Sequence, residues 1–283
     1  YGTDLTINTA TVTGGTTGIV ARNYGTGATS VTSTGTVTGT NSDGIEARNY
    51  GTNLTINAVD VSGATAGIAA LNTGTGATSV TSTGTVTGTI NGGIYAVNYG
   101  TDLTINTATV TGGNVGISAR NYGTGFTSIS ATGTVTGYLA GIFASTYGTD
   151  LTINTATVTG GNGIVARNYG TGATSVTSSG PVTGTGGYGI YASGTGTNLT
   201  IDAASVTGGY AGIFARNFGT GATSVTSTGT VTGTNYDGIF ARNYGTDLTI
   251  NAASVTGGDY GIHVYNGGTG ATSVTATGTV IGT

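Results

Sequence analysis

Few residues in this 283-residue chain carry side chains that could do chemistry. His263 is its single histidine, and Asp259 is the nearest carboxylate in sequence. Imidazole exchanges protons near neutral pH, so such a pair could act as a general base. A predicted turn separates the two residues, however, and the sequence has no Gly-x-Ser-x-Gly turn, phosphate loop or metal-ligand spacing. We therefore expect no catalytic residue, no cofactor and no metal.

Four of the ten acidic side chains recur at one position, directly before a Leu-Thr-Ile segment. The position is occupied by Asp4, Asp102, Asp150 and Asp247, with Asn53 and Asn198 as substitutes. Aspartate and asparagine both accept backbone hydrogen bonds in turns, which is the role we predict. Calcium is the rival interpretation. Successive carboxylates would lie about 10 Å apart, too far to share an ion.

The basic residues also share one position. All six are arginines, and there is no lysine: Arg22, Arg48, Arg120, Arg167, Arg216 and Arg242. We interpret this position as a solvated face on which neighbours such as Arg22 and Arg48 repel each other modestly, with anion binding as the alternative. With a net charge of −4 and so few cations, the chain is not expected to bind nucleic acid.

These residues are positioned by an internal repeat. A Gly-Ile pair recurs eleven times, followed by x-Ala in all but the last copy, and successive copies are 22 to 26 residues apart. The pairs begin at Gly18, Gly44, Gly67, Gly93, Gly116, Gly141, Gly163, Gly189, Gly212, Gly238 and Gly261. Short units of about 23 residues alternate with long units of about 26. This period indicates a solenoid with eleven complete coils and a partial twelfth.

Each coil contains three stretches with inward-facing residues two apart. They are Leu5/Ile7, Ala10/Val12 and Ile19/Ala21 in the first short coil, and Thr29/Val31, Gly35/Val37 and Ile45/Ala47 in the first long coil. Period-two alternation with abundant threonine and glycine predicts short strands joined by tight turns. Three such strands bury an apolar face only when coils stack. The predicted fold is all-β, a right-handed parallel β-helix with three short strands per coil, in which residues 1–283 form one segment of a longer chain.

Stacking converts each coil position into a column of neighbours. One column is asparagine, predicted to form a hydrogen-bonded amide ladder: Asn23, Asn49, Asn72, Asn98, Asn121, Asn168, Asn217, Asn243 and Asn266. An aromatic column follows it, predicted to stack at a corner, with sugar binding as the alternative: Tyr1, Tyr24, Tyr50, Tyr99, Tyr122, Tyr147, Tyr169, Phe218 and Tyr244.

A second set of rings is the candidate partner-binding surface. The x residue of the Gly-Ile-x-Ala motif is expected to point outward, and in the last four complete coils it is aromatic or histidine. The turn before the motif adds a tyrosine in each of those coils. Together they form the aromatic strip: Tyr188, Tyr191, Tyr210, Phe214, Tyr236, Phe240, Tyr260 and His263. Contiguous exposed rings mark interaction surfaces, although packing between stacked rings explains them equally well.

Segments such as GIVARNYGTGATSVTSTGTVTG and YGTDLTINTATVTGG resemble the passenger regions of Gram-negative autotransporters and related large secreted adhesins. The resemblance spans the chain, but it is architectural and transfers no functional residue. It implies an extracellular, cell-surface location and a role in adhesion or surface filaments. The expected partners are neighbouring coils of the same or identical chains and a host-cell protein or glycan.

Two other functions remain open. Outward threonines around the second-strand valine, as in Thr11-Val12-Thr13 and Thr134-Val135-Thr136, resemble the Thr-x-Thr array of antifreeze solenoids, although Asp60 and Pro181 interrupt the array. A polysaccharide-degrading β-helix enzyme is the third reading, and it lacks a recognisable site. No apolar run approaches the length of a membrane span, so direct membrane insertion is not expected.

Overall fold

The computed structural model describes residues 2–283 as a stack of about 12 coils built from 31 strands, with no helix in that range. Tyr1, placed in the aromatic column above, lies outside the described residues. All strand pairings are parallel, and each strand pairs with its equivalent one coil away. The prediction of an all-β solenoid with three strands per coil is confirmed. We number the coils 1 to 12 from the N-terminus.

The strands fall into three ladders. First strands are Leu5–Thr9, Thr29–Ser33, Leu54–Ala58, Thr78–Gly88, Leu103–Gly112, Thr127–Ala131, Leu151–Thr155, Thr174–Ser178, Leu199–Ala203, Thr223–Gly233, Leu248–Gly257 and Thr272–Ala276. Separate second strands are Val12–Gly14, Val37–Gly39, Val61–Gly63, Val135–Gly137, Val158–Gly160, Val182–Gly184, Val206–Gly208 and Val280–Gly282. Third strands are Ile19–Asn23, Ile45–Asn49, Ile68–Asn72, Gly92–Asn98, Val115–Asn121, Ala140–Thr146, Asn162–Asn168, Ile190–Gly194, Ile213–Asn217, Ile239–Asn243 and Ile262–Asn266.

The first and second strands run together in four coils, as in Thr78–Gly88 and Thr223–Gly233. An irregularity between Ser82 and Thr85 bends the joined strand without breaking its ladder to the next coil. The first two ladders consequently form one 20-stranded sheet, and the third strands form a separate 11-stranded sheet. The three faces expected from the sequence are therefore carried by two hydrogen-bonded sheets.

The second strand is shorter than the sequence pattern predicts. It begins at Val12 and Val37, so Ala10 and Gly35 lie in the preceding bend and not in the strand. The last inward residue before the bend is Ser33 in coil 2, whose hydroxyl donates to the Ala10 carbonyl at 2.7 Å. Ala10 is exposed, contrary to its predicted inward position, whereas Gly35 keeps the alternation between the buried Ser33 and Val37.

The core is a set of columns that run the length of the stack. Ile94, Ile117 and Ile142 pair in register and are fully buried. The glycine before each isoleucine has a steric reason: a Cβ at Gly116 would lie 2.5 Å from the Gly141 carbonyl oxygen. The Gly-Ile motif is thus the point where the third strand approaches its neighbours too closely for any side chain.

Candidate functional site

The aromatic strip lies on the outer face of the third strands and in the turns before them. Tyr191, Phe214, Phe240 and His263 occupy one register position in coils 8 to 11. Their ring centroids are 5.4, 4.7 and 5.0 Å apart in that order. The first two contacts are stacked and the last is edge-on, so this column is a continuous wall of rings.

The turn tyrosines form a second row beside the first. Tyr210 stacks on Tyr236 at 4.8 Å, and Tyr188 meets Tyr210 edge-on at 5.3 Å. Tyr188 also contacts Tyr191 at 5.3 Å, and Tyr260 contacts His263 at 5.1 Å. The structure therefore brings all eight predicted strip residues into one connected cluster.

Exposure is uneven along the strip. Phe214 is only 5% exposed, whereas Tyr210 is 38% and Tyr260 is 59% exposed. The expectation that the x residue always points into solvent is therefore wrong for Phe214, which is covered by the rings on either side and by Tyr188. It is also wrong for Ser118 and Val165, which are buried at the same position. The surface available to a partner is formed by the outer tyrosines, with Phe214 as its floor.

Arginines of the third strands pack on rings of the aromatic strip. The guanidinium carbon of Arg216 lies 4.4 Å from the Phe214 centroid and 5.5 Å from that of Phe240. Arg167 similarly lies 5.4 Å from the Tyr191 ring. A guanidinium over an aromatic face is attracted by the ring quadrupole. The arginine column thus packs on the aromatic strip in these coils. The prediction that it forms only a solvated face is wrong there.

The predicted repulsion between Arg22 and Arg48 is offset by a carboxylate. The two arginines pair in register, and Glu46 lies between them. Its carboxylate accepts hydrogen bonds from Arg22 Nη2 at 3.0 Å and lies 2.8 Å from Arg48 Nε. Glu46, at the x position of coil 2, therefore bridges the two like charges that the arginine column places next to each other.

His263 is paired with a residue that the sequence did not indicate. Its Nδ1 lies 3.4 Å from Oδ2 of Asp237, which belongs to the previous coil and is fully buried. Asp259, the neighbour in sequence, is exposed. Burial raises the pKa of Asp237, and the charge of His263 opposes that rise. The available signal was the shared Asp-Gly-Ile triplet at Asp43 and Asp237 in two long coils.

The asparagine column is buried and hydrogen-bonded. Nδ2 of Asn49 donates to Oδ1 of Asn72 at 3.0 Å, and equivalent bonds join Asn72 to Asn98 and Asn98 to Asn121. The same amides also donate to turn carbonyls, as Asn98 does to Thr101 at 3.0 Å. Contrary to the sequence prediction, amide-to-amide bonds do not run the whole length of the column, because the amides of Asn23, Asn121, Asn168 and Asn217 donate only to backbone carbonyls. The column ties each third strand to the turn that follows it.

The acidic column caps the next coil. Oδ1 of Asp102 accepts the Phe126 backbone N–H at 3.0 Å, and Asp150 accepts that of Ala173 at 2.7 Å. Asn53 makes the same bond to Ala77 at 2.9 Å. An amide thus serves as well as a carboxylate at this position. This is expected of a turn, which needs only a hydrogen-bond acceptor, whereas a calcium site would favour the charged carboxylate.

No cluster of three or more potential metal ligands occurs among residues 2–283. The same residues include no helix that could cross a membrane.

Fold and surface together define a β-solenoid repeat protein with an aromatic strip along one side of its C-terminal half. Comparison with known protein families, curated proteins and solved structures finds no match for the chain.

Proposed function

We propose that this protein is a non-enzymatic, extracellular rod with structural and adhesive roles, belonging to a bacterial surface protein or filament. The resemblance to autotransporter passengers and secreted adhesins supports the location. The aromatic strip carries the adhesive part of the proposal. The bound partner would be a host-cell protein or glycan, and neighbouring coils of the same or identical chains would extend the rod.

The backbone architecture supports the structural role. Parallel ladders continue from coil to coil without a break in the register of the core columns. At about 4.8 Å per coil the stack is about 55 Å long. Each coil contacts only its neighbours, so stiffness arises from repeated contacts and length can increase by addition of coils.

The strip supports the adhesive role. Aromatic rings provide large contact areas at a small cost in conformational entropy, and exposed tyrosines also offer a hydroxyl to a partner. The strip is pre-organised, because its rings are already stacked and held by arginines. Ordering these side chains on binding would therefore cost little.

Adhesion can be measured with beads that carry the purified protein and are applied to cultured epithelial cells under flow. We expect retention of wild-type beads and at least a fivefold loss for the combined Tyr191→Ser, Tyr210→Ser and Tyr260→Ser variant. The matched control replaces Tyr99, Tyr122 and Tyr147 by serine on another corner of the rod. Equal losses from both variants, or no retention of wild-type beads, would reject the adhesive role of the strip.

A second candidate is ice binding, and one observation favours it. The outward threonines Thr87, Thr111 and Thr136 of successive coils stand in register on one face of the sheet. Asp60 interrupts a neighbouring position, where its carboxylate accepts the Thr85 N–H at 2.8 Å. A measurement of thermal hysteresis tests this candidate directly, and its absence would leave the threonines as strand-forming residues.

A further inference from the structure

A groove crosses the outer face of the third strands at coils 2 to 5, away from the aromatic strip. Its volume is about 350 Å³, at the lower end for small-molecule sites. Its floor contains Ala69 and Ser118, with Tyr95 between them in the same column. Asp43, Asn91 and Asn114 line it from the turn side, and Arg120 from the other.

Departures from the repeat create this groove. The x position is small at Ala69 and Ser118, on either side of Tyr95, whereas later coils carry stacked rings. The arginine position is Leu71 and Val97 in coils 3 and 4, so no guanidinium reaches Tyr95 among the described residues. Tyr95 is 40% exposed and stacks on no other described ring. It is thus an aromatic platform that the protein leaves uncovered.

Polar groups with free bonding capacity surround this platform. Oδ1 of Asp43 accepts the Ala66 N–H at 3.0 Å, which leaves Oδ2 available. Burial raises the pKa of Asp43, so its carboxylate would gain from a further hydrogen-bond donor. Asn91 and Asn114 are exposed, and their turns are fixed by a 2.6 Å bond from the Asn114 N–H to the Asn91 carbonyl.

The combination of these groups indicates the ligand. A pyranose ring has a face of C–H groups that packs on an aromatic ring and an edge of hydroxyls that both donate and accept hydrogen bonds. Carboxylate and amide side chains satisfy such hydroxyls. One carboxylate, Asp43, and one guanidinium, Arg120, line the groove, so its formal charge is balanced and favours an uncharged ligand. A flat ring with bonding groups on one side thus matches a sugar.

We propose that this groove binds a neutral saccharide unit, with the sugar ring stacked on Tyr95 and its hydroxyls bonded to Asp43, Asn91 and Asn114. The site is independent of the aromatic strip, because it lies in other coils and uses none of the strip residues. The saccharide proposal also holds whether or not the aromatic strip binds cells.

The test uses the whole 283-residue protein on a printed array of neutral glycans ending in glucose, galactose, mannose or N-acetylhexosamine. The best hit is then titrated by saturation-transfer NMR. We expect selective binding to at least one glycan and at least a tenfold loss of affinity in Tyr95→Ala. Ser118→Phe should abolish binding, because it rebuilds beside Tyr95 the ring stack that coils 8 to 10 contain.

The matched control is Phe126→Ala, which removes another exposed ring and installs the alanine found at this position in the other long coils. Binding in this variant should equal wild type, and circular dichroism should show all three variants folded. No binding to any neutral glycan would overturn the proposal. Binding that survives Ser118→Phe, or that falls equally in Phe126→Ala and Tyr95→Ala, would overturn it as well. Loss of cell adhesion in the strip variant has no bearing on these outcomes.

Discussion

His263 Nδ1 lies 3.4 Å from Asp237 Oδ2, although 26 residues separate the two in the chain. The carboxylate is fully buried, and neither oxygen makes a hydrogen bond of ordinary geometry within the described residues. An incompletely paired buried carboxylate destabilises a folded protein. We therefore expect Asp237 to contribute to the pH dependence of stability.

We predict that stability falls as pH rises above the ordinary aspartate range. Burial raises the folded-state pKa of Asp237 above its unfolded value of about 3.9. The group's contribution to stability is thus fully present below the unfolded pKa and is lost as pH rises through the folded pKa. Asp237→Asn should raise stability at pH 7 by about 1 kcal/mol and flatten this dependence. Urea unfolding from pH 3 to 8 measures both effects.

The control for that experiment is Asp202→Asn, which changes an exposed aspartate to the residue that all the other short coils carry there. It should leave the pH profile unchanged. A wild-type profile retained in Asp237→Asn would contradict the assignment.

The asparagine ladder should contribute strongly to stability. Asn98 is fully buried, donates to Thr101 and Asn121, and accepts from Thr78 at 2.9 Å. Asn98→Ala leaves these partners unsatisfied, so we expect a loss of about 2–3 kcal/mol. Asn106→Ala, on the exposed face of the first strand, should cost under about 0.5 kcal/mol. Equal losses in thermal unfolding would show that the ladder bonds contribute nothing net.

Core and outer positions of the third strand should respond differently. Ile117 is fully buried, and Ile117→Asp should cost about 4 kcal/mol or more because the carboxylate has no partner there. Arg120→Ser should cost about 0.5–1 kcal/mol, since Arg120 lies 5.5 Å from the Phe143 centroid. Chemical denaturation distinguishes the two, and similar costs would invalidate the inward and outward assignment.

Substitutions of buried and of exposed rings in the aromatic strip should affect stability and adhesion differently. Phe214→Ser should lower stability by about 2–3 kcal/mol, because the ring is buried between its neighbours. Tyr260→Ser, at an exposed ring, should change stability by less than about 0.5 kcal/mol and still reduce bead adhesion. Full adhesion in a combined Tyr210→Ser, Tyr260→Ser variant would show that the rings of the strip only pack against one another and do not bind a partner.

The sequence alone determined the fold class, the coil lengths and the inward columns. It could do so because a regular period places the same residue type above and below itself, so that Ile94, Ile117 and Ile142 reveal their contacts without coordinates. The same logic located the asparagine column and collected the eight strip residues on one face.

The pairing of outward side chains across coils emerges only in the folded chain. The fold paired His263 with Asp237 instead of Asp259, covered Phe214, placed Glu46 between two arginines and opened the groove around Tyr95. These contacts depend on the path of each turn and on the size of neighbours one coil away. A linear pattern specifies which residues share a column, whereas the volume left between columns depends on three-dimensional packing.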